Sequence, residues 1–196
     1  MDGIATLLPE NQYSTFEEDY LSRTYSKITN RPDLAFTELV ANAWDSGAES
    51  IKIVIPKPSG VVETYLSIED DGVGMTEQEF YDRWMKLAYN RIKHQGEYAD
   101  MPPERSAQKR RAYGRNGIGR HSMLCFANKY TVETWRDGVA CSFLLEQSGG
   151  PTALQIKSKQ IYERSGHGTK ITARIDKNYP DVSKITEILS ARFNLT

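Results

Sequence analysis

Glu38-Leu39-Val40-Ala41-Asn42-Ala43-Trp44-Asp45-Ser46-Gly47-Ala48 is the stretch on which the rest of the chain turns. On a helix, Leu39, Val40, Ala43 and Trp44 form an apolar stripe, while Glu38, Asn42 and Asp45 fall at i, i+4 and i+7 on another face. Burying a carboxylate and an amide without partners is costly, so a helix that only packs gains nothing by aligning them. The alignment points to a ligand. The competing reading is a half-exposed helix whose polar residues face water.

Working outward, Asn30-Arg31-Pro32-Asp33 starts this helix with proline in its first turn, and Gly47 is placed to end it. Upstream, Ser14-Thr15-Phe16-Glu17 has the form of a capping box and opens a polar helix to about Lys27. Downstream, Ile51, Ile53 and Ile55 alternate with polar and smaller neighbours as in a strand, and Val61 to Glu69 gives a second. Pro56-Lys57-Pro58-Ser59-Gly60 joins them as a hairpin, whose end runs into Asp70-Asp71-Gly72-Val73-Gly74-Met75.

Thr76-Glu77-Gln78-Glu79 is another capping box, and the spacing of Phe80, Trp84 and Leu87 predicts a helix to about Tyr89. Asn90 to Tyr113 is polar and proline-containing, the kind of long irregular segment that serves as a lid or stays disordered. After Gly114-Arg115-Asn116-Gly117-Ile118-Gly119-Arg120, the apolar run Met123-Leu124-Cys125-Phe126-Ala127 reads as a buried helix. Strands are expected over Lys129 to Arg136, Val139 to Glu146, Leu154 to Tyr162 and Thr169 to Asp176, and a closing helix carries Val182, Ile185, Ile188, Leu189 and Phe193. Early helices and late antiparallel strands indicate an α+β two-layer sandwich, with a mixed, mostly antiparallel sheet and helices on one face.

Length and composition narrow the class. The chain has 196 residues, enough for one sizeable core, and 25 basic side chains nearly cancel 26 acidic ones. That balance argues neither for nucleic acid nor for a membrane surface. Cys125 and Cys141 lack a CxxC spacing and sit among apolar residues, as core thiols of a reducing compartment do. The first residues lack a basic region followed by a long apolar run, and no later segment approaches membrane-spanning length. A cytoplasmic location follows, or a nuclear one in a eukaryote. The chain stops at Phe193-Asn194-Leu195-Thr196, directly after the closing helix, as a piece cut at a domain boundary would.

Three further stretches supply what a nucleotide needs. In Asp70-x-Gly72-x-Gly74, a carboxylate can accept a hydrogen bond from the exocyclic amine of a purine while the glycines let the backbone approach the ring. Gly114-x-x-Gly117-x-Gly119, ahead of an apolar helix, offers backbone N–H groups to a phosphate chain. It is neither a dinucleotide fingerprint, since no strand feeds it, nor a Walker A loop, since Gly-Lys-Ser/Thr is missing. Gly168-Thr169-Lys170 enters a β-branched strand, where a buried threonine hydroxyl could share the purine reading with Asp70 through water.

Together and in this order the four stretches resemble the motifs of the GHKL ATPases, with their Bergerat nucleotide-binding fold. That superfamily includes DNA gyrase B, the ninety-kilodalton heat-shock chaperone, histidine kinases, the mismatch-repair protein MutL and the MORC ATPases. The resemblance covers about Pro32 to Asp176. It implies an N-terminal segment over residues 1–30, an ATP-binding domain over 31–180 with a lid at about 90–116, and a C-terminal helix over 181–196. It also implies ATP and Mg²⁺ as cofactors.

Residue by residue, Glu38 matches the general base that activates water against the γ-phosphate, and Asn42 matches the Mg²⁺ ligand. Asp45 matches a supporting polar position near the base or lid. Asp70 matches the adenine-binding aspartate, with Asp71 in the variable slot beside Gly72. Gly74 and Met75 would line the adenine pocket and Thr169 would support Asp70 through water. Gly114, Gly117, Ile118 and Gly119 would close over the phosphates, and Arg120 stands where a basic phosphate contact occurs in one branch of the family.

The resemblance further implies an ATP-dependent homodimer and a downstream transducer domain or partner protein that uses the nucleotide state. Two alternatives are an ATP-sensing module without turnover and a phosphotransfer domain of the histidine-kinase type. Against the latter, Glu38 is present, and His94, His121 and His167 read as surface or capping residues downstream of the first motif. Lys109-Arg110-Arg111 is the one feature that invites DNA, and the nearly neutral net charge does not extend it into a phosphate-binding face.

Overall fold

Proline at the first position fixes the helical φ of the stretch after Arg31, and Asp33 places a negative charge in the positive first turn. In the computed structural model, which describes residues 23, 30–57, 65–114, 117, 119–148 and 154–193, this helix, α1, runs Pro32–Asp45. It ends where expected. Gly47, at φ 77°, donates to Trp44 O at 3.1 Å, and Ala48 donates to Ala43 O at 3.1 Å, the paired closure of a Schellman motif.

The strands β1 (Ile51–Val54), β2 (Tyr65–Asp70), β3 (Lys129–Arg136), β4 (Val139–Gln147), β5 (Leu154–Glu163) and β6 (Gly168–Arg174) form one sheet in the order β1-β2-β6-β3-β4-β5. Every described pairing is antiparallel. Alternation along each strand sends one set of side chains toward the helices. Ile68, Ile171, Val132 and Phe143 form one cross-strand row of that face, and all are buried. Phe36, Leu39 and Val40 of α1 complete the core, with Ile185 and Leu189 of the closing helix α4 (Val182–Phe193).

The expected polar helix of residues 14–27 lies, Arg23 apart, outside the described residues, as does the hairpin connection after Lys57. The capping box at Thr76 forms in both directions: Glu79 N–H donates to Thr76 Oγ1 at 3.3 Å, and Thr76 N–H donates to Glu79 Oε2 at 2.9 Å. The helix it opens is shorter than its spacing predicts. α2 (Glu77–Glu79) widens into a π turn over Phe80–Trp84, and Leu87 is exposed. Ala88, at φ 53°, turns the chain so that Tyr89 is buried instead of extending the helix. The apolar run after the glycines is helical but wound as a 3₁₀ helix, Gly119–Cys125, a distinction that an all-apolar run does not carry.

Among the described residues no helix is long and apolar enough to cross a membrane. Both cysteines are free and buried. The aromatic centre of the helix–sheet layer is Phe80 lying flat on Phe143, with ring centroids 3.7 Å apart. Phe143→Ala is expected to cost about 3–5 kcal/mol in urea unfolding; a loss below about 1 kcal/mol would show that the layer closes over the gap.

Candidate functional site

On the core face, the apolar rows of β2, β6 and β3 give way to a polar residue at one end of the strands. Beyond Ile68, Ile171 and Val132 the next row reads Asp70, Thr169 and Thr134, paired across β2, β6 and β3. These groups are held by one another and by the turn that follows. Thr134 Oγ1 accepts the Met75 N–H at 2.7 Å, lies 3.2 Å from Gly168 O and sits 3.4 Å from Thr169 Oγ1. Asp70 Oδ1 accepts the Gly72 N–H at 2.9 Å and lies 3.3 Å from Ser46 Oγ, which α1 delivers at its C-terminus.

Burial raises the Asp70 carboxyl to about 7; the Gly72 and Ser46 hydrogen bonds oppose the rise and the Asp71 charge adds to it. Asp71 points elsewhere: its Oδ1 accepts the Glu49 and Ser50 N–H groups at 2.8 and 2.9 Å. Gly74 must be glycine. It sits at φ 65°, and a Cβ there would collide with Trp135 O.

Asp70 and Thr169 of this row face a cavity of about 120 Å³. Asn42, Asp45, Asp70, Gly74, Met75, Arg120 and Thr169, all singled out in the sequence, line it together with Arg83, Arg91, Gln95 and Asp100. Asn42 Nδ2 is buried without a hydrogen-bond partner. Since the two ends of an amide are interchanged by a flip, this is an unspent polar group at the cavity wall.

Glu38, one helical turn away, lies under the glycine loop. A Cβ on Gly119 would collide with Glu38 Oε2, so only glycine lets the carboxylate and loop approach this closely. Burial raises the Glu38 carboxyl above its ordinary range, the Arg192 cation lowers it, and Asp45 adds a smaller rise. Gly117 is at φ 62°, and Gly114 donates to Asp45. Ile118 lies outside the described residues.

Residues 30–149 match the family model described as histidine kinase-, DNA gyrase B- and HSP90-like ATPase. The chain belongs to this ATPase family. It is similar to the candidate type II restriction enzyme HgiDII of Herpetosiphon aurantiacus, 26% identical over 112 residues, which are 57% of this chain and 16% of that protein. It is also similar to the chaperone protein HtpG of Chlorobium phaeobacteroides, 23% identical over 207 residues, 91% of this chain and 30% of that one. The chain thus spans less than a third of the length of either relative. Among solved structures, the ATPase region of Saccharomyces cerevisiae topoisomerase II bound to dexrazoxane shares the fold. Its TM-score is 0.50 at 18% identity, covering 80% of this chain and 42% of that one.

In this GHKL-family chain, the segment expected to form the lid is folded down on the end of α1. It contains the short helix α3 (Arg91–Gln95), a 3₁₀ turn at Pro103–Arg105 and a bridge between Tyr98 and Arg111. Asp45 fastens it: its carboxylate accepts the Tyr113 and Gly114 N–H groups at 2.6 and 2.9 Å, and its carbonyl accepts the Asp100 N–H at 2.9 Å. Burial pushes the Asp45 carboxyl up, and those N–H groups and Arg91 oppose it. Arg105 donates to Asp71 O at 2.7 Å, while His167 joins Gly72 O at 2.7 Å to Glu104 at 2.9 Å.

Two readings change. Within the basic cluster, Arg110 stacks over the Trp44 ring at 4.3 Å and donates to Ala48 O at 2.8 Å, so it fastens the lid. His121, read as a surface or capping residue, is buried with Nδ1 2.9 Å from Tyr130 OH, and burial lowers it to about 3. Thr134, Ser46 and the lid groups Gln95 and Asp100 went unnoticed in the sequence. Only Thr134 left a signal there, as a lone hydroxyl in the core-facing alternation of Tyr130 and Val132.

Asp70→Asn tests the buried carboxyl. Its folded value near 7 exceeds the ordinary 3.8, so the folded state binds the extra proton, and stability falls as pH rises from about 4 through 7. The amide variant is therefore expected to be more stable than the parent at pH 8, by on the order of a few kcal/mol, with the gap closing toward pH 4. A gap in thermal unfolding independent of pH would contradict this. For the lid, Asp45→Ala is expected to speed tryptic cleavage at Lys109 to Arg111 several-fold while the sheet stays folded by circular dichroism; unchanged cleavage would mean other contacts suffice.

Proposed function

We propose that this chain is the ATP-binding and ATP-hydrolysing domain of a larger protein, with Mg²⁺ as its metal, and that nucleotide state governs lid closure and homodimerisation. The observation that carries the reading is that Asp70 and Thr169, paired across β2 and β6, face a cavity whose other wall holds Asn42, on the helix that also bears Glu38. Asp70 reads the exocyclic amine of adenine, and Gly74 and Met75 lie against the ring. The loop from Gly114 to Gly119 covers the phosphates, with Arg120 as a cationic contact.

The residues fit a magnesium ion. No group of three or more His, Cys, Asp or Glu among the described residues is placed to hold a metal, and the unspent Asn42 amide suits a cation that takes few protein ligands beside phosphate oxygens and water. Bound there, it would neutralise phosphate charge. Glu38 orients the attacking water and takes its proton, for which a carboxyl raised above its ordinary range by burial is suited. Phosphotransfer to a histidine has less support: His121 is buried and His167 is engaged by Gly72 and Glu104. Clients and partners of the larger protein are a transducer domain or another protein that senses closure.

Purified chain mixed with ATP and Mg²⁺ is expected to release inorganic phosphate. Glu38→Ala should lower that rate by about 100-fold or more while leaving the ATP dissociation constant within about twofold. A parent chain that binds ATP without releasing phosphate would instead favour the sensing module.

A further inference from the structure

At about 120 Å³ the cavity is well below the roughly 300–1,000 Å³ of pockets that enclose whole ligands. Arg91, Gln95 and Asp100 of the lid segment line it, and Asp100 presents a carboxylate inside a pocket read as receiving a polyphosphate. Asp100 Oδ2 accepts from Arg83 Nη1 at 3.2 Å and from Gln95 Nε2, and Oδ1 lies 3.7 Å from Arg91 Nη2.

These partners divide unequally. Arg91 and Gln95 belong to the short helix of Asp100's own segment, and Arg91 also lies 3.7 Å from Asp45 of α1. Arg83 belongs to the body, where Glu79 holds its other nitrogen at 2.7 Å and Arg120 donates to its backbone carbonyl. If Asp100 leaves Arg83, its charge still has Arg91 and Gln95, whereas the guanidinium is uncovered on the pocket wall beside Arg120, already aimed by Glu79. A guanidinium released from one oxyanion is ready for another, and phosphate oxygens accept from its fork as carboxylate oxygens do.

Granting the nucleotide reading on which this rests, we propose that Arg83 is a ligand of the phosphate chain, and that Asp100 is an internal anion that occupies Arg83 until the nucleotide displaces it. Asp100 then tunes affinity for the charge of the ligand and leaves affinity for its base untouched. An ion pair that only fastened the lid would affect every ligand alike.

The test is calorimetric titration of the 196-residue chain with ATP plus Mg²⁺ and, separately, with adenosine, which keeps the base and lacks phosphate. Asp100→Asn is expected to tighten ATP about fivefold or more and leave adenosine unchanged. Arg83→Gln is expected to weaken ATP about tenfold, again sparing adenosine, and to erase the Asp100→Asn gain when the two are combined. ATP affinity that neither variant changes, or adenosine affinity that shifts as far as ATP, overturns the assignment while leaving the nucleotide site standing. Failure of the parent chain to bind either ligand overturns the nucleotide reading and this assignment with it. Should Arg83→Gln not fold, the ATP-to-adenosine contrast of Asp100→Asn decides alone.

Discussion

A carboxylate placed between a sheet and a helix must be hydrogen-bonded or protonated, and the site is built around meeting that condition for Asp70. The strand alternation that buries Leu66 and Ile68 also turns Asp70 inward. Around it the chain brings a Gly72 N–H from the next turn, a Ser46 hydroxyl from the end of α1 and the backbone of Thr169 from the neighbouring strand. None of these fully offsets burial, since the carboxyl still rises to about 7. A group left incompletely satisfied beside a cavity retains capacity for an outside donor. Asp71, next in sequence, has the opposite fate: it binds the N–H groups of Glu49 and Ser50 and so fixes the chain leaving α1.

The end of α1 is the hub through which the other parts meet. Asp45 holds the lid backbone at Tyr113 and Gly114, Trp44 donates to Arg111 O at 3.0 Å, and Arg110 covers the Trp44 ring. The closing helix reaches the same place. Phe193 packs 5.5 Å from Tyr113 and 6.4 Å from Trp44, and Arg192 donates to Tyr113 OH at 2.8 Å. Arg192 also lowers the Glu38 carboxyl. Arg192 thus joins three parts of the molecule, the closing helix that carries it, the Tyr113 hydroxyl at the end of the lid segment and the Glu38 carboxyl of α1.

Local signals were legible in the sequence, and distant contacts were not. The Pro32 start and Gly47 stop of α1, the Thr76 box and the four late strands depend on residues a few positions apart, and each forms. Met75 to Thr134, Asp45 to Gly114 and Arg105 to Asp71 join positions far apart in the chain, so their pairing depends on the assembled fold. The same distance explains Arg110, whose charge suggested phosphate until the Trp44 ring was found beneath it. Hydrophobic spacing also overran at Leu87, because a period of apolar residues cannot register the backbone reversal at Ala88.

One helix and one strand end thus supply three carboxylates in three electrical settings. Asp45 is met by backbone N–H groups and by Arg91, which spends it on holding the lid. Asp70 is met by the backbone of Gly72 and Thr169 and by the Ser46 hydroxyl, which do not offset burial and leave it reluctant to ionise. Burial raises the Glu38 carboxyl, and the Arg192 cation, carried by a helix Glu38 does not belong to, lowers it. Environment separates the three carboxyls: backbone N–H groups and Arg91 surround Asp45, the Gly72 N–H and Ser46 hydroxyl reach Asp70, and the close Gly119 backbone and the Arg192 cation act on Glu38.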